Sequence, residues 1–182
     1  MGRLKALLPW KGIPLIAYQI EQMQKAGINE IIIVLGFKAH QLREIVSTYD
    51  VTTVFNEDFA HGKSTSIRKG ASFITDDTDG IVISSVDQPV SSHTLKSLSN
   101  YLKISKAKVV IPVYQEKRGH PILFHRSIKR DLLEVNEKTE GLRNVIRKYY
   151  DQIAYVPVND SHILLNLNDP DDYQNSLQGG LK

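Results

Sequence analysis

A short motif that could bind a metal, Asp87-Gln88-Pro89, follows the apolar run 81–86. Such a run is typical of a strand buried on both faces, and Pro89 ends it because proline has no backbone N–H to pair. A carboxylate at the carboxyl end of a strand can hold Mg²⁺ beside substrate phosphates, since this ion takes few protein ligands. The alternative is an aspartate that caps a helix or forms a turn.

A second candidate site follows residues 56–62, where residues 63–68 read Lys-Ser-Thr-Ser-Ile-Arg. Hydroxyls and free backbone N–H groups at the start of a helix suit the ribose, base edge or phosphates of a nucleotide. Ordinary capping by serine and threonine is the alternative. Lys5 precedes the apolar run 7–10 and is either a phosphate ligand or a solvated lysine.

The histidines offer a third candidate. Gly119-His120-Pro121 interrupts two strand-like stretches, so His120 is either a donor to an anionic ligand or a turn residue. The six histidines have no metal-ligand spacing and the chain has no cysteine, which excludes a zinc site, disulfides and a cysteine nucleophile. A serine hydrolase is excluded because no serine lies in a Gly-x-Ser-x-Gly elbow.

Alternating helices and strands must position these residues. Apolar runs predict strands and a stripe of period 3.6 predicts helices. Alternation of the two indicates an α/β fold with a mostly parallel sheet, and the short strands between 108 and 125 indicate a mixed or antiparallel edge. Ligands bind such sheets at the carboxyl ends of strands, here the loops after Gly36, Phe55 and Val86. We expect strands at 29–36, 51–55, 80–86, 108–114, 121–125, 153–158 and 163–167, and helices at 14–26, 39–49, 64–74, 92–104, 127–135, 139–149 and 171–177.

The composition narrows the class of protein. The chain has 182 residues, 41% of them hydrophobic, so we expect one domain over 1–182 that needs no disulfide or metal for stability. No apolar run approaches the roughly 20 residues of a membrane span, and no signal-peptide pattern is present, so a cytoplasmic location is expected. The net charge is +3, in separate basic clusters that suit phosphorylated small molecules better than a nucleic acid.

Taken together, the motifs resemble those of the MobA-like nucleotidyltransferases. Residues 1–15 resemble the end of the family signature Leu-Ala-Ala-Gly-x-Ser-x-Arg-Met-Gly-x-x-Lys-x-Leu-Leu-Pro-Trp. Residues 62–70, 86–89 and 118–124 resemble later family motifs, and residues 165–173 resemble the closing Asp-Ile-Asp-Thr-Pro-Glu-Asp-Tyr. Within the family, these motifs are more similar to the molybdenum cofactor cytidylyltransferases than to the guanylyltransferases.

The resemblance implies a three-layer, Rossmann-like nucleotidyltransferase (nucleotide-diphospho-sugar transferase) fold. It also implies a Mg²⁺-dependent reaction that joins CTP to molybdopterin and releases pyrophosphate, and transient contact with a molybdenum hydroxylase apoenzyme. By resemblance, Lys5 and Asp87 are catalytic, and Asp87 and Asn168 hold the metal. The implied nucleotide-binding residues are Lys5, Ser64, Thr65, Ser66, Arg68, Asp87 and Gln88, and the implied acceptor-binding residues are Arg118, Gly119 and His120.

The sequence departs from the family pattern at two places. Met1 coincides with the methionine of the signature, so the glycine-rich loop and the first strand are expected to be missing, because of either a start called at an internal methionine or a truncated relative. That strand is central in the family, so its loss would expose a strand edge and remove the triphosphate cradle. Asn166 and Asn168 replace the closing acidic pair, and an amide oxygen can bind Mg²⁺ but adds no charge. The nearby acidic residues that can substitute are Asp169, Asp171 and Asp172.

Other functions stay open at this point. One is a catalytically impaired nucleotide- or cofactor-binding protein, which keeps the acceptor pocket and hands the cofactor to a molybdenum enzyme. Another is transfer from GTP or to a different phosphorylated acceptor, such as a sugar phosphate, because one fold serves many substrates. A nucleic-acid role rests on charge alone.

Overall fold

The structure, a computed structural model, describes residues 4–168 and 170–177. Short 3-10 turns lie at Lys5–Leu7, Phe59–His61, Arg126–Ile128, Glu137–Thr139, Tyr150–Gln152 and Ser161–Leu164. The strands are β1 (Pro9–Trp10), β2 (Ile13–Pro14), β3 (Ile32–Leu35), β4 (Thr52–Phe55), β5 (Gly80–Ile83), β6 (Val109–Tyr114), β7 (Lys117–Arg118), β8 (Ile122–His125) and β9 (Ile153–Pro157). The helices are α1 (Leu15–Lys25), α2 (His40–Val46), α3 (Lys63–Ala71), α4 (Ser92–Ile104), α5 (Lys129–Leu133), α6 (Leu142–Lys148) and α7 (Pro170–Leu177).

The larger sheet is mixed. β5, β8, β6 and β7 lie side by side in that order, and β9 pairs with β6. β8 runs antiparallel to both β5 and β6, whereas β9 is parallel to β6, so β5, β6 and β9 point the same way. β3 and β4 form a separate parallel pair, with Ile32 opposite Thr52. The predicted α/β fold is confirmed, but the antiparallel strand β8, from the predicted segment 121–125, lies between β5 and β6 and not at an edge of the sheet.

Helix α3 contacts both groups of strands. Gly70 of α3 packs closely against Val34 of β3, and Ala71 belongs to one apolar cluster with Ile81 of β5. On α1, Ile20 belongs to one apolar cluster with Leu35 of β3. Within the described residues, no backbone pairing joins β3 to β5, so the sheet is interrupted between these two strands. The absence of a central first strand stays a prediction.

Local chemistry explains the bounds of α1, the helix that carries Gln19. The helix begins directly after Pro14, whose ring presets φ near the helical value. It ends before Gly27, which has a φ of +80° and lets the N–H of Ile28 return to the carbonyl of Met23. A glycine in the left-handed region is a common helix terminator because it has no Cβ to clash. The predicted helix 14–26 is therefore confirmed apart from its terminal residues.

Several predicted elements are shorter in the structure, such as the strand over 80–86, which ends at Ile83, and three others differ more strongly. The strand prediction at 163–167 is wrong, because the Asp160 carboxylate accepts a hydrogen bond from the backbone N–H of His162 and starts the turn Ser161–Leu164. The predicted helix 127–135 divides into the turn Arg126–Ile128 and the short helix α5. The predicted helix 139–149 begins only at Leu142, since Gly141 before it has a positive φ.

The main apolar cluster lies between the larger sheet and helices α3, α5 and α6. Phe124 of β8 is 0% exposed at its centre, beside Val109 of β6 and Leu132 of α5. Burial of apolar side chains is therefore the main force that joins the helices to this sheet.

Among the described helices, none has the length and apolar content needed to cross a bilayer.

We expect Phe124→Ala to lower the free energy of unfolding by about 4 kcal/mol, because it removes a fully buried ring and leaves a cavity. Chemical denaturation followed by circular dichroism measures the change. Phe73→Ala is the matched control, since Phe73 is 45% exposed. Equal losses for the two variants would contradict this account of the core.

Candidate active site

Lys5, Asp87 and Asn168 meet at one point. The Nζ atom of Lys5 lies 3.5 Å from Asp87 Oδ2 and 3.3 Å from Asn168 Oδ1. The Lys5 side chain is 31% exposed and that of Asp87 is 14% exposed, so the contact is half-buried and still reachable from solvent. A cation and two oxygen ligands thus lie together at the carboxyl end of β5, as expected for phosphate chemistry.

The loop that carries Asp87 is held by a buried glutamine. Gln19 of α1 donates from Nε2 to the carbonyl oxygens of Ser85 and Val86, both at 2.9 Å. Its Oε1 accepts a hydrogen bond from the hydroxyl of Ser84 at 3.1 Å. The N–H of Gln88 closes a tight turn onto the Ser85 carbonyl. This turn and the three Gln19 hydrogen bonds fix the backbone that aims the Asp87 carboxylate.

The segment with Asn168 lies beside the same loop. The N–H of Leu167 donates to the carbonyl of Asp87 at 2.9 Å, which brings the next residue, Asn168, next to Asp87. The N–H of Asn168 bonds to the Asn166 carbonyl and to Asp172 Oδ2, so Asp172 supports the backbone at this position. Asp169, which the sequence offers as a substitute ligand, lies outside the described residues.

His120 lies within electrostatic range of this centre. Loss of hydration lowers the pKa of His120; the Asp87 carboxylate acts in the opposite direction, and the Lys63 ammonium lowers it further. The lowered pKa favours the neutral imidazole over the charged one. Because a neutral imidazole has one N–H donor and one acceptor nitrogen, His120 can donate a hydrogen bond to an anion without adding a charge.

The predicted acceptor residues divide into two groups. Gly119 packs so closely that a Cβ would lie 2.4 Å from the Ile163 carbonyl oxygen, and this oxygen accepts the N–H of His120 at 2.8 Å. Only glycine permits this approach, so Gly119 positions His120. Arg118 is placed elsewhere, with its guanidinium over the Tyr155 ring at 4.5 Å. His120 thus lies within electrostatic range of Asp87, whereas the Arg118 guanidinium stacks on Tyr155.

The predicted nucleotide-binding hydroxyls lie in the first turn of α3. Ser64 and Thr65 are buried, and the buried Asn56 at the end of β4 donates to Thr65 Oγ1 at 2.8 Å and to Ser66 Oγ at 3.0 Å. The Thr65 hydroxyl also bonds back to the Gly62 carbonyl. These hydroxyls therefore hold the loop between β4 and α3 in place.

The start of α3 is capped by a carboxylate from another part of the chain. Glu137 Oε1 accepts the N–H of Ser64 at 2.7 Å, and this hydrogen bond lowers the pKa of Glu137. One turn further, Arg68 donates to the Val135 carbonyl. Arg68 also lines an open polar groove of about 230 Å³ with Asn56. Ser64 and Arg68 are thus bonded to segment 135–137.

The residues at the centre suit a sparsely ligated metal ion. Among the described residues, no group of three or more histidines, cysteines and carboxylates comes together. Asp87 and Asn168 nevertheless direct two oxygens at one cationic atom, the Nζ of Lys5. Mg²⁺ keeps several water and phosphate oxygens and takes one or two protein ligands, so this donor pair fits an ion held jointly with a nucleotide.

Sequence reasoning missed Gln19 and Asn56, which hold the two loops. A signal existed for Gln19, because it lies at helical spacing from Leu15 and Ile16 and so interrupts the apolar stripe of α1 with a polar residue. No comparable signal marks Asn56, since polar residues after a strand are ordinary in loops.

The family described as the MobA-like NTP transferase domain matches residues 1–153. A nicotine blue oxidoreductase from Paenarthrobacter nicotinovorans is 25% identical over 156 residues, which cover 79% of this chain and 73% of the relative. A choline-phosphate cytidylyltransferase from Streptococcus pneumoniae is 43% identical over 56 residues, 31% of this chain. That match spans only 24% of the relative's length.

Solved structures share the fold. Rv0371c from Mycobacterium tuberculosis H37Rv superposes with a TM-score of 0.84 at 22% identity, covering 98% of this chain and 90% of that one. A structure of Rv0371c in complex with manganese gives a TM-score of 0.78 at 22% identity, with 97% and 93% covered. The Rossmann-like nucleotidyltransferase fold expected from the sequence is thereby confirmed.

We expect Gln19→Leu to lower the free energy of unfolding by about 2 kcal/mol, because it leaves the carbonyls of Ser85 and Val86 without their buried donor. Chemical denaturation measures the loss. Gln24→Leu is the control, since Gln24 is exposed on the same helix. If the two variants are equally stable, the glutamine does not hold the Asp87 loop.

Proposed function

The chain belongs to the MobA-like NTP transferase domain family, and on that premise we propose that it transfers CMP from CTP to molybdopterin with the help of a divalent cation. The product is the dinucleotide form of the cofactor, and pyrophosphate is released. Nucleotidyl transfer is the activity of the family. The choice of CTP and molybdopterin rests on the motifs at 62–70, 86–89 and 118–124. We also propose, from the same motifs, that the product is delivered to a molybdenum hydroxylase apoenzyme.

The convergence of Lys5, Asp87 and Asn168 carries the proposal. A nucleoside triphosphate brings about four negative charges, which repel an incoming phosphate unless cations neutralise them. Lys5 supplies one fixed positive charge at the centre, and the two oxygens beside it suit a second, mobile one. This combination of an ammonium and a metal-binding pair is what nucleotidyl transfer needs from the protein.

The reaction needs little covalent chemistry from side chains. A terminal phosphate oxygen of the pterin attacks the α-phosphorus of CTP and forms the new phosphorus–oxygen bond. The bond from the α-phosphorus to the bridging oxygen breaks, and pyrophosphate leaves with the electron pair. The attacking oxygen is already ionised at neutral pH, so the step requires positioning and charge neutralisation rather than a strong general base.

Each central residue has a role in that step. Asp87 and Asn168 would hold Mg²⁺ or Mn²⁺, and the ion supplies Lewis acidity at the phosphate oxygens when bound. Lys5 neutralises charge on the triphosphate, and neutral His120 donates a hydrogen bond on the acceptor side. The fold neighbour solved with manganese supports a divalent-cation requirement. The cytidylyltransferase relative supports CTP as the donor over the 56 matched residues.

A second candidate is a binding protein with little catalytic activity. The amide of Asn168 favours it, because an amide contributes no charge to the metal site. Such a protein would still bind the pterin beside His120. Release of pyrophosphate separates the two functions.

We expect the protein to release pyrophosphate when incubated with Mg²⁺, CTP and molybdopterin, and to release less with GTP, ATP or UTP.

Asp87→Asn should reduce the rate at least about 100-fold, because the metal loses its only charged protein ligand in the described site. A coupled pyrophosphate assay measures both. Asp50→Asn, at an exposed position outside the centre, is the control. If no nucleotide leads to release of pyrophosphate, the proposed enzymatic activity is wrong and the protein is the binding protein described above.

We expect Asn168→Asp to increase the affinity for Mn²⁺ several-fold, about 1 kcal/mol, since it adds a charge to the ligand pair. Titration of Mn²⁺ followed by electron paramagnetic resonance measures the affinity. Asn166→Asp is the matched control, because Asn166 is two residues away and exposed. An unchanged affinity in Asn168→Asp would show that this position is not a ligand.

A further inference from the structure

Asp160 is a buried carboxylate that has no part in the proposed reaction. Its side chain is 10% exposed and receives four hydrogen bonds. Oδ2 accepts from the hydroxyls of Ser91 at 2.6 Å and Thr94 at 2.7 Å, and Oδ1 accepts from the backbone N–H and the Nδ1 of His162 at 3.1 and 3.0 Å. Burial alone would raise the pKa of Asp160, but these donors outweigh it and hold the pKa well below its usual range.

The donors come from the two segments that carry the metal-facing oxygens. Ser91 is the N-cap of α4 and Thr94 lies in its first turn, shortly after Asp87 in the chain. His162 lies in the turn Ser161–Leu164, and the chain from this turn runs on to Asn168. The hydrogen bond from the Leu167 N–H to the Asp87 carbonyl joins the same two segments again. Asp160 and this backbone bond therefore clamp the segments at two points.

The clamp extends to the acceptor side of the site. Ile163, next to His162, accepts the N–H of His120 at 2.8 Å. The His162 ring also packs edge-on against Trp10, with 6.1 Å between the ring centroids. The turn that Asp160 holds thus contacts the elements behind His120 and the hairpin that follows Lys5.

We propose that Asp160 is a positioning residue that sets the separation of Asp87 and Asn168, and thereby the affinity of the site for its divalent cation. The proposal rests on the proposed function for the metal site itself. The hydrogen-bond donors of Asp160 are Ser91, Thr94 and His162, so it acts on Asp87 and Asn168 only through the segments that carry them. Groups hydrogen-bonded to metal ligands commonly change metal affinity by about 10-fold or more when they are removed, and Asp160 acts one step further out, through the segments that carry the ligands. If Asp160 only capped the turn Ser161–Leu164 and supported Ser91 at the start of α4, its loss would change stability and leave metal affinity untouched.

Asp160→Asn is the test variant, because it keeps the shape of the side chain but places an NH2 group against two of the donors. We expect its affinity for Mn²⁺, measured by electron paramagnetic resonance with and without CTP, to fall about 10-fold. The maximal rate of pyrophosphate release should recover at high Mn²⁺ concentration, since the defect lies in metal binding.

Asp131→Asn is the matched control. Asp131 is 16% exposed and its carboxylate accepts hydrogen bonds from Tyr149 and Lys148, away from the Asp87 loop. We expect this variant to lose a comparable free energy of unfolding while its Mn²⁺ affinity stays within about twofold of the unmodified protein, because no ligand segment moves.

Three outcomes decide the proposal. If Asp160→Asn folds and binds Mn²⁺ with unchanged affinity, the residue has only a structural role at the turn Ser161–Leu164 and the start of α4, and the proposal is overturned. If Asp160→Asn does not fold, Thr94→Val replaces it, because this nearly isosteric change removes one donor; unchanged Mn²⁺ affinity in folded Thr94→Val overturns the proposal as well. If the unmodified protein binds Mn²⁺ but releases no pyrophosphate, the proposed function fails while the affinities still test Asp160.

Discussion

The contact of the Lys5 ammonium with Asp87 and Asn168 is the interaction on which the arrangement of the site depends. Asp87 and Asn168 lie 82 and 163 positions after Lys5 along the chain. Ordering so long a chain costs conformational entropy, which one half-buried ion pair does not repay. The sheet and its apolar clusters must supply that free energy, and the ionic contact then selects which polar groups meet at the carboxyl end of β5.

Buried polar groups keep the loops around that contact in place. Three buried polar side chains, those of Gln19, Asn56 and Asp160, have lost most of their contact with water, which is unfavourable for a polar group. Each is instead hydrogen-bonded to the backbone or hydroxyls of a neighbouring segment. A buried polar group left without a partner costs about 1–3 kcal/mol, so these side chains favour one loop geometry over others. Nε1 of Trp10 is an exception, a buried N–H without a partner among the described residues.

The extent to which the sequence predicted the fold varied with the kind of signal. The continuous apolar runs at 29–36 and 80–86 predicted β3 and β5 correctly, because a strand covered on both faces has few other ways to bury such residues. The strand prediction for 163–167 was wrong, because alternating apolar residues also occur where a chain passes over an apolar core without forming backbone hydrogen bonds to another strand. Leu165 and Leu167 are buried there, but a carboxylate that caps the preceding turn decides the backbone.

The sequence by itself determined the order of the elements, the family motifs and the residue types able to bind a metal and phosphates. It determined these because apolar periodicity and short motifs are local properties of the chain. The resemblance already implied that Lys5, Asp87 and Asn168 belong to one site, and the tertiary structure supplies their contact. Only the tertiary structure decided that Arg68 donates to the Val135 carbonyl, that Arg118 stacks on Tyr155, and that Asp160 joins the segments that carry Asp87 and Asn168. The physical reason is that hydrogen bonds and ion pairs between distant segments depend on packing, which no local pattern encodes.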